Sequence, residues 1–159
     1  LEAGADKVAI NTAVIERPEL ISEAADIFGS QCVVVSIQSK QVSHNKWEVL
    51  TEGGRERTGI DVVEWAKRAV DLGAGEILLT SVDRDGTKRG CDTEIINQVS
   101  TSISIPVIAS GGAGSIKDVK DAVINGGADA IAVASILHYD IESVKSIKNS
   151  LIDYAEVRL

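Results

Sequence analysis

The sequence has few cysteines, no long apolar run and no excess of positive charge. Its two cysteines, Cys32 and Cys91, lack metal-site spacing and are too few for a disulfide framework, which favours a reducing, cytoplasmic setting. No apolar run approaches the ~20 residues that a membrane helix needs, and the first residues lack the basic-then-apolar order of a signal peptide. We therefore expect a cytoplasmic protein with no membrane segment, no metal and no cofactor.

The charge balance narrows the choice of partners. A formal net charge of −8 and a pI near 4.7 repel both nucleic acid and anionic membrane surfaces. A phosphorylated small molecule stays possible, because backbone N–H groups and helix N-termini hold phosphate without net positive charge. With 159 residues, 44% of them hydrophobic, the chain is long enough for one sizeable core, so we expect a single domain over residues 1–159.

A repeated pattern predicts the fold class. Residues 1–11, 72–80 and 125–135 each read as a helix end, a Gly-Ala turn and a buried strand, and residues 32–37 and 105–109 are further short apolar runs. Strands buried on both faces and alternating with helices are typical of a parallel α/β sheet. The predicted helices cover residues 18–28, 61–72, 93–101, 116–125 and 141–154.

Two features qualify that pattern. Leu1 to Ala5 resemble the tail of a repeat whose helix is absent, so we expect roughly the last five βα units of a (βα)8 TIM barrel, without the first three. A complete five-stranded open sheet is the alternative. Residues 41–57 break the alternation, and their Gly53-Gly54 pair predicts an inserted β-hairpin.

Polar and glycine-rich residues follow the predicted strands, at the edge where parallel α/β folds bind ligands. The glycines of residues 110–114 stand between a strand and a helix and can let backbone N–H groups approach an anion. Together with Ala134-Ser135 they fit the barrel phosphate site after strands seven and eight. Two ordinary tight turns are the alternative.

The loop of residues 83–87 concentrates charge after another strand. Asp85, Gly86 and Thr87 are candidates for orienting hydroxyls or phosphate, and Arg84 for pairing with an aspartate of the same loop. A loop held together by its own salt bridge is the alternative.

Two charged residues stand at the start of otherwise apolar strands, at the end of the sheet opposite to the candidate binding loops. The period of two puts Lys7 on one face with Ala9 and Asn11, and Glu76 on one face with Leu78 and Thr80. If that face lines the barrel, the charges close its bottom. A buried structural ion pair and a gate are equally favoured by the residues alone.

These motifs together resemble a known family. The segments at residues 4–12, 28–31, 73–88 and 108–114 are similar to the cyclase subunit of imidazole glycerol phosphate synthase. The sequence of residues 73–88 is highly specific for this resemblance. Ser-Gly-Gly-Ala-Gly at residues 110–114 favours the cyclase over its sister barrel, the phosphoribosyl-formimino isomerase.

The resemblance implies a substrate with two phosphates and a role for most of the strand-end residues. One phosphate would be held by Asp85, Gly86, Gly111, Gly112, Ala134 and Ser135, and the other partly by Asn11 and Thr12, with Thr80 and Ser110 lining the substrate. The resemblance also implies a glutaminase partner, in a heterodimer that delivers ammonia through the barrel. Lys7 and Glu76 then match the ammonia gate, and Asp6 a glutaminase-facing carboxylate.

One residue departs from the family pattern. Where the family has a catalytic aspartate at the end of its fifth strand, this chain has Gln38, whose amide does not titrate near neutral pH. The leading hypothesis is the cyclase itself. The departure motivates an alternative: a cyclase-like protein that conducts ammonia to another amidotransferase, similar to those of surface-sugar systems. The sister isomerase is a third candidate.

Overall fold

A computed structural model describes residues 1–157 and contains one sheet of seven strands. Residues 158–159 of the predicted domain lie outside this range. The strands are β1 (Val8–Ile10), β2 (Val33–Ser43), β3 (Lys46–Thr51), β4 (Glu56–Asp61), β5 (Glu76–Ser81), β6 (Val107–Ser110) and β7 (Ala130–Ala132). The helices are α1 (Thr12–Glu16), α2 (Glu19–Phe28), α3 (Val62–Asp71), α4 (Thr93–Ser100), α5 (Ile116–Ile124), α6 (Ser135–His138) and α7 (Val144–Leu151).

Five strands form the parallel part of the sheet, in the order β1, β2, β5, β6, β7. They correspond to the five predicted strands, and the alternation with helices confirms an α/β fold of the kind found in a partial (βα)8 barrel. The sheet is not closed, and β1 and β7 stand at the two ends of its parallel part.

The side chains on the two faces of the parallel strands differ in burial. Val33, Val35 and Ile37 of β2 and Leu79 of β5 are buried under the helices, in a core cluster that also contains Trp65 of α3. The neighbouring residues point to the other face, where Ser36, Leu78 and Ile108 are only half-buried. This second face is the one that lines the inside of a barrel, and it carries the predicted substrate residues.

Local capping explains where the helices begin. The Asp61 carboxylate accepts hydrogen bonds from the Val63 and Glu64 N–H groups at the start of α3, and Ser115 accepts one from the Asp118 N–H at α5. The predicted start of the last helix at residue 141 was wrong: Ser143 caps it, so α7 begins at Val144. The short helices α1 and α6 were not predicted.

The antiparallel insertion is larger than the predicted hairpin at residues 41–57. Strand β2 continues to Ser43 and pairs with β3 from Gln38 onward, and β3 in turn pairs with β4, which continues to Asp61. An ion pair between the buried Glu48 and the exposed Arg57 holds the third strand. Arg57 donates from Nε and Nη2 to Glu48 Oε2 at 2.9 and 2.6 Å, and the Gly59 N–H donates to Glu48 Oε1 at 2.7 Å.

Two further observations concern the described residues as a whole. None of the helices within residues 1–157 is both long enough and apolar enough to cross a membrane. In the same part of the chain, no group of three or more histidine, cysteine, aspartate or glutamate side chains is arranged to hold a metal ion.

Candidate active site

A row of residues crosses the sheet where the parallel strands end. Gln38 of β2 is in register with Thr80 of β5, Thr80 with Ser110 of β6, and Ser110 with Ala132 of β7. The row lies on the half-exposed face of the sheet. The predicted substrate-lining residues Thr80 and Ser110 are therefore direct neighbours, and Gln38 stands beside them.

The loops that follow β5, β6 and β7 enclose a cavity of about 130 Å³. It brings together residues that are far apart in the sequence. The lining residues are Asp85, Gly86, Lys88, Ser110, Gly111, Gly112, Ala113, Ala132, Val133, Ala134 and Ser135. The predicted phosphate residues of these three loops thus share one cavity. Ala134 and Ser135 were predicted to end the last strand, but β7 ends at Ala132, and these two residues begin α6 instead.

Close packing between two loops explains the glycines. Gly111 and Gly112 have φ angles of +92° and +97°, which side-chain-bearing residues rarely adopt. A Cβ atom on Gly111 would lie 2.8 Å from the Ser81 carbonyl oxygen, and one on Gly112 would overlap the Gly90 carbonyl oxygen. The Gly90 N–H donates to the Gly112 carbonyl at 2.9 Å. These glycines therefore let the chain's own loops approach each other, in addition to any ligand.

Backbone donors are available at the cavity wall. Within residues 1–157, the Gly112 and Ala113 N–H groups have no hydrogen-bond acceptor. The next donors along the chain are engaged, because the Gly114 N–H and the Ser115 hydroxyl both donate to Asp118 Oδ2, at 3.0 and 2.9 Å. Asp118 thus occupies the start of α5, and the two preceding amides are the unengaged donors of this loop.

Lys88 lines the cavity without having been predicted as a site residue. Its Nζ lies 4.3 Å from the centre of the Tyr139 ring, just beyond α6, a distance suited to a cation–π contact. Lys88 and Asp85 give the cavity one charge of each sign. The position of Lys88 in the same loop as Asp85 and Gly86 could have indicated a site role from the sequence. Nothing in the sequence indicated its contact with Tyr139.

The loop of residues 83–88 is held by hydrogen bonds. Arg84 forms no ion pair within residues 1–157, so the alternative of a loop held together by its own salt bridge was wrong. Asp83 instead accepts a hydrogen bond from the Gln41 N–H of β2 at 2.8 Å, and the Thr87 hydroxyl donates to the Arg84 carbonyl at 2.7 Å. The loop is thus tied to the antiparallel insertion and to its own backbone.

Asn11 and Thr12 lie away from the cavity, after β1 at the other end of the parallel strand order. Asn11 Nδ2 donates to the carbonyls of Ser36 and Leu50 at 3.0 and 3.1 Å, which joins the end of β1 to β2 and β3. The Thr12 hydroxyl donates to Asn11 Oδ1 and accepts from the Glu52 N–H at 3.1 Å. Their polar groups therefore position the turn between β3 and β4.

Gln38 is half-buried beneath that same turn. A Cβ atom on Gly54 would lie 2.8 Å from Gln38 Oε1, so the glycine leaves room for the amide. Gly54 also has a φ angle of +82°. Within residues 1–157 the Gln38 side chain has no hydrogen-bond partner, and it remains free to bind a ligand.

Lys7 and Glu76 form an ion pair at the opposite end of the strands. Because β1 and β5 both pair with β2, the two side chains meet across β2 on the face that lines a barrel. The pair is not buried, since 48% of the Lys7 side chain and 19% of that of Glu76 are exposed. The adjacent Asp6 is exposed as well.

A comparison with known families accounts for the fold and the loops together. Residues 1–142 match the family described as histidine biosynthesis protein. The matched range runs from the first residue past α6 and so includes all seven strands and the loops around the cavity. The family covers both the cyclase and the isomerase types of histidine biosynthesis enzyme. The chain therefore belongs to the histidine biosynthesis protein family.

Proposed function

We propose that this chain is the C-terminal part of the cyclase subunit of imidazole glycerol phosphate synthase. In this reaction, ammonia from a glutaminase converts a phosphoribulosyl-formimino aminoimidazole carboxamide ribotide into imidazole glycerol phosphate and aminoimidazole carboxamide ribotide. The observation that carries the proposal is the cavity shared by Asp85, Gly86, Gly112 and Ser135. The family-specific wording of residues 73–88 adds to it.

The cavity would hold one phosphate of the substrate. The Gly112 and Ala113 N–H groups and the Ser135 hydroxyl are neutral donors, and the Lys88 ammonium is the cation beside them. Hydrogen bonds from such groups to an ionised phosphate are stronger than those between neutral partners. An acidic protein can therefore hold an anion here without a positive surface.

Gln38 limits the chemistry at the reacting end. The amide can orient a substrate hydroxyl or carbonyl by hydrogen bonding, but it cannot take up or release a proton near neutral pH. A positioned acid or base typically contributes ~10²- to 10⁴-fold in rate. We therefore expect slow cyclisation, with proton transfer left to another residue of the complete barrel or to water.

The ion pair at the other pole supports a role in ammonia delivery. Lys7 and Glu76 meet on the face that lines a barrel, at the end of the strands opposite to the cavity. Separation of the pair would open that end, and the exposed Asp6 lies beside it for contact with the glutaminase. The partner is then a glutaminase subunit in a heterodimer.

Turnover by the complete barrel tests the proposal. With substrate and ammonium salt, the natural sequence should form imidazole glycerol phosphate, and Gln38→Asp should accelerate that reaction by about 10²-fold or more. Gln38→Asn is the matched control, because it keeps an amide and should stay slow. No product from the natural sequence, with activity only in Gln38→Asp, would mean that the natural protein is not a cyclase.

Gln38 also favours a second candidate, an ammonia conduit without cyclase activity. Such a protein would keep Lys7 and Glu76 and would pair with a glutaminase, but would need no acid or base at position 38. Glutaminase-coupled ammonia release without any product from the bisphosphate substrate would support the conduit. Conversion of the substrate of the sister isomerase, in the absence of ammonia, would contradict both candidates.

A further inference from the structure

Lys88 connects the three segments that follow β5, β6 and β7. It belongs to the loop after β5 and lines the cavity. Its backbone packs against the loop after β6, because a Cβ atom on Gly114 would lie 2.6 Å from Lys88 Cβ. Its ammonium group reaches the segment after α6, where Nζ lies 4.3 Å from the centre of the Tyr139 ring. The residue is therefore held at its backbone and at the end of its side chain.

The conformation and the charge of Lys88 both favour a role in the cavity. Its φ angle of +56° lies in the left-handed region, where the Cβ atom of any residue other than glycine is crowded. Such a conformation at a cavity wall indicates a functional use of the side chain. Over residues 1–157 the ammonium forms no ion pair. Its charge is therefore available to an anion in the cavity.

Tyr139 contributes the face of its ring and does not line the cavity itself. The ring is 61% exposed and stands nearly perpendicular to that of His138, at 78° and with 5.0 Å between the ring centres. The face of an aromatic ring attracts an ammonium group through its negative electrostatic potential. Tyr139 can therefore act on a ligand of the cavity through Lys88.

We propose that Tyr139 is a positioning residue, which holds the Lys88 ammonium at the rim of the cavity for the binding of a phosphoryl group. A free lysine side chain samples many rotamers, and ordering it upon binding lowers the affinity. Contact with the ring restricts the ammonium before the ligand arrives, and the N–H groups on its other side remain available to the anion. The inference rests on the proposed function, because the anion is the phosphate that the cavity would hold.

Titration of inorganic phosphate into the isotopically labelled chain, at constant ionic strength, measures the affinity of the cavity through the NMR shifts of the Gly112 and Ala113 amides. Tyr139→Leu should weaken binding about two- to fivefold, the worth of an exposed cation–π contact. Tyr139→Phe keeps the ring and loses only the hydroxyl, so it should keep nearly the natural affinity. An equal loss in both variants would overturn the inference.

A double-mutant cycle separates the positioning of Lys88 from simple packing of the segment after α6. Lys88→Gln removes the cation and should weaken phosphate binding about tenfold. In that background Tyr139→Leu should cause no further loss, because Tyr139 acts through Lys88. A further loss of the same size as in the natural sequence would show that the ring only packs the segment.

Tyr154→Leu is the matched control. The Tyr154 ring is 55% exposed and lies 5.0 Å from Lys120 Nζ, but neither residue lines the cavity. This variant should leave the phosphate affinity unchanged. If Tyr139→Leu also leaves it unchanged, the inference is wrong and the proposed function stands. If phosphate shifts neither Gly112 nor Ala113 in the natural sequence, both are contradicted.

Discussion

Two pockets of the molecule are built by different means. At the cavity after β5 to β7, short loops pack glycine against glycine, and backbone N–H groups form much of the wall. At the end of β2, an antiparallel insertion covers the sheet, and the charged side chains of Lys40, Arg55 and Arg57 line a second pocket. The comparison teaches that backbone-built sites leave a local sequence motif, whereas side-chain-built sites depend on distant pairing.

The largest expected effect on stability is at the cavity, where two glycine substitutions distinguish close loop packing from the cost of a positive φ angle. Gly112→Ala should lower the free energy of unfolding by about 2–4 kcal/mol, because the new Cβ would overlap the Gly90 carbonyl oxygen at a strained φ angle. Gly86→Ala is the control: it has a similar φ sign but no atom within 4 Å of its Cβ, so about 1 kcal/mol is expected. Equal losses in chemical denaturation would show that packing does not fix these loops.

The next prediction concerns the ion pair that fixes the insertion. The Arg57 guanidinium, followed by the Gly59 N–H, lowers the pKa of Glu48 below its ordinary value of 4.5. The folded carboxylate therefore contributes stability that is present above the unfolded pKa and is lost as the pH falls through the folded value. Glu48→Gln should cost roughly 1–2 kcal/mol near neutral pH and flatten this acid limb. Unfolding curves at pH 7 and below 4 check it, and an unchanged acid limb would contradict it.

A smaller effect is expected at the link between the parallel and antiparallel parts. Asn11→Ala removes the donors to the Ser36 and Leu50 carbonyls and should cost about 1–2 kcal/mol. Amide exchange should accelerate mainly in β3 and the turn after it. Thr12→Ser, which keeps the hydroxyl, should leave exchange there nearly unchanged. If Asn11→Ala instead leaves exchange unaltered, the side chain does not hold the insertion.

The smallest expected effect lies at the opposite pole. Lys7→Gln should change the free energy of unfolding by less than about 1 kcal/mol, because the Lys7–Glu76 pair is partly exposed and screened by solvent. Salt should reduce the difference further. A gate predicts a larger effect on glutaminase-coupled turnover than on turnover with ammonium salt. Equal effects on the two activities would indicate a structural pair.

The sequence was a good guide to the parallel sheet and the cavity. Short β-branched runs such as residues 32–37 predict the parallel strands, although one face of them is only half-buried, and Asp61 and Ser115 mark helix starts through hydrogen bonds to nearby N–H groups. The cavity followed from the rule that ligands bind where parallel strands end. These inferences depend on local chemistry, which the sequence displays directly.

The rest depended on contacts between distant segments. Strand β4 has a polar sequence and is held by Glu48, whose carboxylate is buried and bonded to Arg57 and Gly59. The bridging role of Asn11 requires the Leu50 carbonyl, and the Lys88 contact requires Tyr139. No pattern within a single segment indicates such partners.

The crystal structure of the chain with the bisphosphate substrate would test the central claim most directly. We predict one phosphate within hydrogen-bond distance of the Gly112 and Ala113 N–H groups, with Lys88 and Ser135 beside it. A substrate whose phosphates both lie outside this cavity would contradict the account.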